Sequence, residues 1–324
     1  MSAETILIST PRPAGARVAG LGHYQPSTVV TNADLVARGV QTNDEWVKSR
    51  VGIAERRFAV DESMLDLAEV AASKALANAG IAATDIDLVI LATCTNAQQV
   101  PGGSATLASR LGIDAPGAYD LNAACAGFVY GLTSASNAVI AGQARNVLLV
   151  GSEKLSDYTD IFDRSTGIIF ADGAGAAVIT ASDRQCIGPV VWGSDGANAA
   201  AISTDRESGT LRQEGQTVFR WATSRMGAVA AEACAAAGLK PSDLAAFVPH
   251  QANLRIIDLI AKKLGAENAV VAQDIVTSGN TSSASIPIAL SKMIERGEIP
   301  SGAPVLVIGF GAGLTYAGQV ILAP

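Results

Sequence analysis

Small and apolar residues follow the same pattern in two distant stretches of the chain. Residues 71–89 read AASKALANAGIAATDIDLV, and residues 229–247 read VAAEACAAAGLKPSDLAAF. Each stretch predicts an alanine-rich helix that ends at a glycine, Gly80 or Gly238, because glycine is favoured just beyond the last turn of a helix. A turn that contains an aspartate comes next, and then a run of apolar residues. Each stretch therefore predicts a helix, a turn and a buried strand in succession.

A single offset relates the two stretches, since Gly238 lies 158 positions (238 − 80) after Gly80. The same offset places VLLVG at residues 147–151 on VLVIG at residues 305–309. Short Val- and Leu-rich strands that alternate with helices are typical of a parallel or mixed sheet between helical layers. We therefore predict an α/β fold, a duplicated five-layer α/β/α/β/α sandwich with halves at residues 1–183 and 184–324. The alternative is two independent domains that share a common βαβ pattern.

Composition and charge exclude several classes of protein. The chain has 324 residues, 49% of them hydrophobic, and a net charge of −7, which argues against binding to nucleic acid phosphates. Its apolar runs are strand-sized, far below the ~20 residues that a membrane span needs. The first residues, MSAETILISTPRP, have neither a basic start nor a long apolar stretch, so we expect no secretory signal. Four single cysteines without a Cys-x-x-Cys pair predict a cytoplasmic protein with neither disulfides nor a metal site.

Cys125 is the candidate nucleophile. It lies in the sequence NAACAGF at residues 122–128, directly before a stretch that predicts a helix with small residues in its first turns. A thiol at a helix N-terminus is close to the positive end of the helix dipole, which predicts a lowered pKa and a larger thiolate fraction. The alternative is an inert core cysteine, which we expect for the other three: Cys94, Cys186 and Cys234.

His250 and Asn280 are the candidate partners of this thiol. His250 follows the predicted strand at residues 244–248, and histidine is the usual partner of a nucleophilic thiol. Asn280 lies in the polar loop SGNTSSAS, where its amide can donate a hydrogen bond to a developing oxyanion. The alternatives are a core histidine with satisfied hydrogen bonds and an asparagine that only caps a helix.

The offset also relates the loops that carry these side chains. Asn122 and Cys125 correspond to Asn280 and Ser283, and each loop opens a predicted helix. We therefore expect the two loops to lie opposite each other across a pseudo-twofold axis. One loop would bring a thiol to this place and the other an amide.

Two glycine clusters lack the pattern of a nucleotide site. The clusters are DGAGAA at residues 172–177 and GFGAG at residues 309–313. Neither has the glycine spacing of a dinucleotide-binding fingerprint or the lysine of a P-loop, which argues against nicotinamide chemistry. Backbone amides at residues 311–313 could instead line an oxyanion hole, since glycines allow a close approach.

Six motifs in this order resemble the thiolase superfamily and, more narrowly, bacterial β-ketoacyl-acyl carrier protein synthase III, the FabH type. The resemblance runs from about Arg17 to the end of the chain and implies a thiolase-like version of the predicted sandwich. The motifs are NDEW and RVGI at residues 43–46 and 50–53, ACAGF at 124–128, FADGAGA at 170–176, VPHQAN at 248–253, GNTS at 279–282 and GFGAG at 309–313.

The resemblance implies a catalytic triad of Cys125, His250 and Asn280. It implies a ping-pong reaction that starts fatty acid synthesis, in which acyl-CoA acylates Cys125 and malonyl-acyl carrier protein then decarboxylates and condenses. His250 and Asn280 would hold the enolate oxygen, and the backbone N–H groups of Cys125 and Ala312 would form the oxyanion hole. The reaction would need no metal or redox cofactor.

The resemblance also implies binding surfaces. For CoA it implies Trp46 and Arg164 around the adenine, Arg50 near the phosphates, and Phe219 and Asn253 along the pantetheine arm. In a homodimer, Val100 would line the acyl pocket of the partner subunit. The expected surface for acyl carrier protein, one with basic side chains, consists of Gln251, Ala252, Asn253, Leu254, Arg255, Lys262, Lys263 and Arg220.

Several functions compete with this interpretation. Chain-elongating synthases use two histidines after the cysteine, and only His250 follows Cys125 here, which excludes that subclass. Plant-type polyketide synthases typically carry a proline where this chain has Ala312. A priming ketosynthase of a bacterial polyketide pathway would show the same motifs, so it stays open. A thioesterase and a non-catalytic scaffold are weaker alternatives, and the sequence leaves the primer acyl group open.

Overall fold

The structure is a computed structural model that describes residues 11–98 and 100–324. Residues 1–10, which belong to the predicted N-terminal half and to the stretch without an expected secretory signal, lie outside the described residues. In the described part of the chain, no helix combines the length and the apolar character that crossing a membrane requires.

The first sheet is built from the N-terminal half. Its order across the sheet is β1-β7-β6-β4-β5. β4 runs parallel to β5 and β6, whereas β7 runs antiparallel to β6 and β1, so the sheet is mixed. The strands are β1 (Gly15–Tyr24), β4 (Leu88–Ala92), β5 (Gly117–Leu121), β6 (Asn146–Lys154) and β7 (Asp172–Ser182).

The second sheet repeats this arrangement. Its order is β8-β14-β13-β11-β12, with β11 parallel to β12 and β13, and β14 antiparallel to β13 and β8. The strands are β8 (Ile187–Ser194), β11 (Ala246–Pro249), β12 (Val270–Val271), β13 (Pro304–Phe310) and β14 (Thr315–Leu322). Strand order and strand direction are the same in both sheets, as a duplication requires.

Helices form the other three layers, so the predicted five-layer sandwich is confirmed. On the outer face of the first sheet lie α3 (Met64–Ala79) and α4 (Gly103–Arg110), and on that of the second lie α6 (Gly215–Ala236) and α7 (Leu254–Leu264). α5 (Gly127–Ile140) and α9 (Ser285–Glu295) form the middle layer between the sheets.

The middle layer joins the sheets into one core. α5 is apolar on most of its surface, as expected for a helix enclosed on all sides. One buried cluster combines Ile90 and Leu149 of the first sheet with Val248 and Val307 of the second. The alternative of two independent domains is therefore wrong.

The offset of 158 residues holds for local structure as well. A 3₁₀ turn at Ala83–Asp85 corresponds to one at Pro241–Asp243, and the turn Ala124–Ala126 corresponds to Ser282–Ala284. The middle helices then start at equivalent residues, Gly127 in α5 and Ser285 in α9. The loops that carry the candidate nucleophile and the candidate amide are thus structural equivalents, as predicted.

The remaining elements lie around the two sheets. α2 begins after Asn43, whose side chain accepts a hydrogen bond from the Trp46 N–H group at 2.7 Å. Two small two-stranded antiparallel sheets pair β2 with β3 and β9 with β10. These elements are α1 (Asn32–Ala37), α2 (Asp44–Val51), α8 (Ile275–Ser278), β2 (Val29–Thr31), β3 (Glu55–Arg57), β9 (Ile202–Thr204) and β10 (Leu211–Gln213).

Candidate active site

Three loops bring the predicted triad to one cavity. Cys125 lies on the 3₁₀ turn before α5, His250 directly follows β11, and Asn280 lies between α8 and the 3₁₀ turn before α9. All three line a cavity of ≈ 690 Å³, together with Phe310 and Gly311. Residues that are far apart in sequence therefore meet at one place.

Equivalent tight turns position Cys125 and Asn280. The Asn122 side-chain oxygen accepts the Ala124 N–H group at 3.1 Å, and that of Asn280 accepts the Ser282 N–H group at 2.8 Å. Ala124 and Ser282 both have positive φ, 45° and 48°, which only a well-supported turn holds in a residue other than glycine. Because its oxygen is used in the turn, Asn280 has its NH₂ group left to donate to a ligand.

Gly311 lets the chain pass directly beside the nucleophile. A Cβ atom at this position would lie 2.7 Å from the Cys125 Cβ atom and 2.9 Å from its sulfur. Glycine is therefore the residue that fits here. The backbone N–H groups of Cys125 and Ala312 both lie close enough to the Cys125 sulfur to lower its pKa, which is the place predicted for the oxyanion hole.

The expected low pKa of Cys125 is wrong for this structure. Burial raises the pKa of the thiol to about 11, and the nearby Glu153 charge also raises it. The Ser282 hydroxyl and the two backbone N–H groups act in the opposite direction and are outweighed. Desolvation of a buried thiolate thus exceeds the helix-end stabilisation on which the prediction rested.

His250 is buried and neutral. Its Nδ1 atom lies 2.7 Å from the Ser285 hydroxyl, and its ring packs edge-on against Phe310 at 5.4 Å between centroids. Burial lowers the pKa of the imidazole to about 3. Within residues 11–98 and 100–324, the Nε2 atom has no hydrogen-bond partner, and the residue lines the large cavity. Nε2 is therefore available to a ligand.

Glu153 is a buried residue near the site that the sequence analysis missed. It is fully buried at the end of β6. Its carboxylate accepts hydrogen bonds from the hydroxyl groups of Thr95 and Ser283, both at 2.7 Å, and from the Cys94 N–H group at 3.1 Å. The internal repeat could have pointed to this residue. The offset of 158 residues aligns Glu153 with Gly311, and it aligns Ser283, a hydrogen-bond partner of Glu153, with Cys125.

The residues predicted for CoA lie together at the same cavity. Trp46, Arg50, Arg164, Phe219 and Asn253 all line it. The Arg164 guanidinium stacks on the Trp46 ring at 3.8 Å, and Arg50 lies 5.8 Å from that ring. A purine between Trp46 and Arg164 needs about 7 Å, two contacts of about 3.5 Å each, so the predicted sandwich requires Arg164 to move.

Gln251 does not belong to the predicted surface for acyl carrier protein. It is 1% exposed. Its side-chain NH₂ group donates to the carbonyl of Pro249 at 2.7 Å, and its oxygen accepts the Ile275 N–H group at 3.0 Å. Gln251 therefore supports the segment after β11 from within the core. That prediction is wrong because the helix begins only after the Asn253 cap, at Leu254.

The other residues of that surface divide into three groups. Arg220, Arg255 and Lys262 are exposed, and Arg255 lies over the Phe219 ring at 5.1 Å. Lys263 is exposed as well, but its ammonium group donates to the Thr223 carbonyl at 2.5 Å and is thus held against α6. Ala252, Asn253 and Leu254 are partly buried at the cavity end of α7.

The side-chain oxygen of Asn253 caps α7, and its NH₂ group donates to the Arg50 carbonyl at 3.1 Å.

The fold and this set of groups define a class of protein. A thiol on the cavity wall, a neutral imidazole and an amide donor meet between the halves of a duplicated α/β sandwich, as in condensing acyltransferases of the thiolase superfamily. Two family models match the chain, 3-oxoacyl-(acyl-carrier-protein) synthase III at residues 119–210 and its C-terminal part at residues 234–322. Together they cover more than half of it.

Known proteins resemble the chain over nearly its whole length. The beta-ketoacyl-(acyl-carrier-protein) synthase III 2 of Streptomyces avermitilis is 53% identical, over 96% of this chain and 99% of that protein. Among solved structures, the priming beta-ketosynthase of the R1128 polyketide biosynthetic pathway is 43% identical, with a TM-score of 0.94 and 98% of both chains covered. The 3-oxoacyl-(acyl-carrier-protein) synthase III of Aquifex aeolicus is 38% identical, with a TM-score of 0.91, over 95% of this chain and 100% of that chain.

The chain therefore belongs to the 3-oxoacyl-(acyl-carrier-protein) synthase III family. The predicted family, the thiolase-like fold and the class of enzyme, a condensing acyltransferase, are confirmed.

Proposed function

We propose that this chain catalyses the initiating condensation of fatty acid synthesis, in which acyl-CoA and malonyl-acyl carrier protein give 3-oxoacyl-acyl carrier protein, CoA and CO2. This proposal rests on one observation: Cys125, His250 and Asn280 all line the same cavity. The names and the high identity of the relatives support the same reaction.

In the first half-reaction, the Cys125 sulfur attacks the thioester carbonyl of acyl-CoA. A bond forms between this sulfur and the acyl carbon, the carbon–sulfur bond to CoA breaks, and the thiol proton ends on the departing CoA sulfur. The N–H groups of Cys125 and Ala312 hold the oxyanion of the tetrahedral intermediate. Because burial raises the pKa of the thiol to about 11, we expect acylation to become faster as the pH rises.

In the second half-reaction, His250 and Asn280 stabilise the enolate of the malonyl group. The Ser285 hydroxyl oxygen accepts the Gln251 N–H group at 3.3 Å, so its own hydrogen is free for Nδ1 of His250. We therefore assign the imidazole proton to Nε2, where it donates to the enolate oxygen beside the Asn280 NH₂ group. The bond between the malonyl carboxylate and its α-carbon breaks to release CO2, and this α-carbon then bonds to the acyl carbon. The bond between the acyl carbon and the Cys125 sulfur breaks, and the thiolate takes up one proton from water.

The two substrates use different parts of the cavity. We propose that Trp46, Arg50 and Arg164 hold the nucleotide of CoA, with Phe219 and Asn253 along the pantetheine. Acyl carrier protein, which is acidic, would bind the exposed cations Arg220, Arg255 and Lys262. The steps above use only side chains and backbone groups, so we propose that no metal or redox cofactor takes part and that a chelator leaves the rate unchanged.

We further propose a cytoplasmic homodimer. Four free cysteines fit a reducing compartment. β5 is an edge strand whose residues Gly117, Ala118 and Tyr119 are exposed, and Val100 is 88% exposed. A second copy of the chain would cover this apolar edge. Light scattering should give twice the chain mass of 32.9 kDa, and a monomer at working concentration would contradict the dimer.

One experiment tests the proposed reaction. The purified protein, given acyl-CoA and malonyl-acyl carrier protein, should release CO2 and yield 3-oxoacyl-acyl carrier protein, detected by intact mass. A thioesterase would release a free acid without CO2, and a scaffold would do neither. Either result would overturn the proposal, and Cys125→Ser serves as the inactive control.

A second candidate function is the priming step of a bacterial polyketide pathway. The similarity to the priming beta-ketosynthase, with its TM-score of 0.94, favours it. Both functions use the same chemistry and differ in the carrier protein. Rates with carrier proteins from the two kinds of pathway should distinguish them, because the native partner is expected to have the lower KM.

A further inference from the structure

Arg56 is a buried cation that takes no part in the reaction steps proposed above. It lies on β3 and is 0% exposed. Burial lowers the pKa of its guanidinium only to about 10, so the side chain is charged at neutral pH. In the part of the chain that the structure describes, no carboxylate pairs with it, and its neighbour Glu55 pairs with Arg57 instead, at 3.7 Å. A buried charge without a counterion is costly and needs well-placed hydrogen-bond partners.

The partners of the Arg56 guanidinium lie in two distant segments of the chain. Its Nη1 atom donates to the Asn32 side-chain oxygen at 2.8 Å and to the Val30 carbonyl at 3.2 Å. Its Nη2 atom donates to the carbonyl of Ile168, 112 positions later in the sequence, at 2.8 Å. Asn32 is fixed in turn, since its NH₂ group donates to the Ile53 carbonyl at 2.9 Å. Because hydrogen bonds from a charged donor are stronger than neutral ones, Ile168 is held firmly.

The residues that follow Ile168 hold the backbone of Asn280. The Asn280 N–H group donates to the Ile169 carbonyl at 3.0 Å, and the Asn280 carbonyl accepts the Ala171 N–H group at 2.9 Å. Phe170, between them, forms a parallel β-bridge with Asn280. The Asn280 side-chain oxygen is used in its own turn. The place of its NH₂ group is therefore set by residues 168–171.

Arg56 also packs directly against the loop that carries Asn280. Gly279 has a φ of 68°, and a Cβ atom at this position would lie 2.9 Å from the Arg56 Cβ atom and 2.8 Å from that of Ala171. The chain therefore passes over the first carbon atoms of the Arg56 side chain without any space between them. One side chain thus supports the residue before Asn280 and the segment that binds the Asn280 backbone.

We propose that Arg56 is a positioning residue for Asn280, whose NH₂ group it keeps at the enolate oxygen by fixing residues 168–171 and supporting Gly279. This inference rests on the proposed function. Arginine suits the task because its planar guanidinium presents donors in a rigid fork, whereas the ammonium group of a lysine is a compact charge on a flexible stem. A shift of about 1 Å in a catalytic group can cost about a hundredfold in rate.

The variant Arg56→Lys keeps the charge and removes the rigid fork of donors. We expect it to slow CO2 release from malonyl-acyl carrier protein by about tenfold or more, with an unchanged KM, because a displaced Asn280 amide stabilises the enolate less well. Acylation of Cys125 at saturating acyl-CoA should change much less, since its oxyanion is held by backbone N–H groups. Arg57→Lys is the matched control. Arg57 follows on the opposite face of β3 and is partly exposed, so both half-reactions should keep their rates.

A double variant separates positioning from a general structural defect. If Arg56 acts through Asn280, its replacement has no further effect once the amide is absent. Arg56→Lys combined with Asn280→Ala should therefore release CO2 at the same rate as Asn280→Ala alone. A general defect would instead multiply the two losses, and it would slow acylation as well.

The outcomes separate this inference from the proposed function. Unchanged CO2 release in folded Arg56→Lys, equal slowing of both half-reactions, or losses that multiply in the double variant would each overturn the inference alone. A wild type that releases no CO2 would contradict the proposed function, and this inference with it. If Arg56→Lys does not fold, Gly279→Ala replaces it, because the added methyl group would push the loop away from Arg56. The same selective loss of CO2 release is then expected, and its absence would overturn the inference.

Discussion

Four pairs of equivalent positions explain why the duplicated fold has one active site. Ser283 has the position of the nucleophile, but its hydroxyl donates to Glu153 at 2.7 Å and is fully engaged. Cys125 has Gly311 at the corresponding place, which leaves its sulfur accessible to the cavity. The pairs, each 158 residues apart, are Ala92 and His250, Cys125 and Ser283, Gly127 and Ser285, and Glu153 and Gly311.

Removal of the Glu153 charge should make Cys125 more acidic. Glu153 is among the causes of the raised thiol pKa, so Glu153→Gln should move the midpoint of Cys125 alkylation by iodoacetamide to lower pH. Asp157→Asn, which removes an exposed carboxylate nearby, is the matched control and should move it less. An unchanged or higher midpoint in folded Glu153→Gln would show that burial alone sets the pKa.

His250 and Asn280 should serve the second half-reaction more than the first. The oxyanion of acyl transfer is held by backbone N–H groups, whereas the malonyl enolate depends on the two side chains. Loss of one donor costs on the order of a hundredfold, so His250→Ala and Asn280→Ala should slow CO2 release by about that factor. Acylation of Cys125 by acyl-CoA should change much less. Equal losses in both half-reactions would identify His250 as the obligatory base of the thiol instead.

At the scale of elements, the N-terminus of α7 determines which side chains reach the surface. The periodicity of residues 251–265 predicts a helix, and the structure begins it at Leu254 because the Asn253 side chain accepts the Arg255 N–H group at 2.9 Å. Of the three residues before this cap, Gln251 is buried in the core, whereas His250 and Ala252 line the cavity. The surface proposed for acyl carrier protein therefore consists of α6 and α7 side chains beside the cavity mouth.

Charge reversal on that surface should weaken the carrier protein substrate alone. Arg255 packs on Phe219, so Arg220→Glu with Lys262→Glu is the cleaner double variant. Surface charges act mainly on the rate of encounter, and we expect the KM for malonyl-acyl carrier protein to rise about tenfold at low salt. Acylation by acyl-CoA should stay the same. The control is Arg184→Glu, which replaces an exposed cation on the connection between the sheets. An equal rise in KM in this control would mean that the proposed surface has no specific role in binding the carrier protein.

At the scale of the whole molecule, the repeat made the sandwich predictable. The ends of α3 and α6, each followed by a glycine with positive φ at Gly80 and Gly238, and the strands after them follow from local pattern. The offset of 158 residues aligned the loops of Cys125 and Asn280. Local sequence pattern does not indicate how deeply a side chain is buried in the folded chain. The high thiol pKa and the burial of Gln251 both depend on how much of the folded chain covers these side chains.

Burial between the halves should also make stability depend on pH through His250. In the folded chain the pKa of this imidazole falls from its ordinary 6.5 to about 3, so between these values the unfolded chain binds more protons. Stability therefore falls as the pH drops below 6.5, and at about pH 5 the loss from this group is about 2 kcal/mol. Other groups also make stability depend on pH, namely the carboxylates and His23, whose pKa is lowered by burial. These groups are unchanged in the variant His250→Ala. Urea unfolding at pH 7 and pH 5 should therefore show a smaller loss in His250→Ala than in the wild type, and equal losses would mean that His250 is protonated in the folded state.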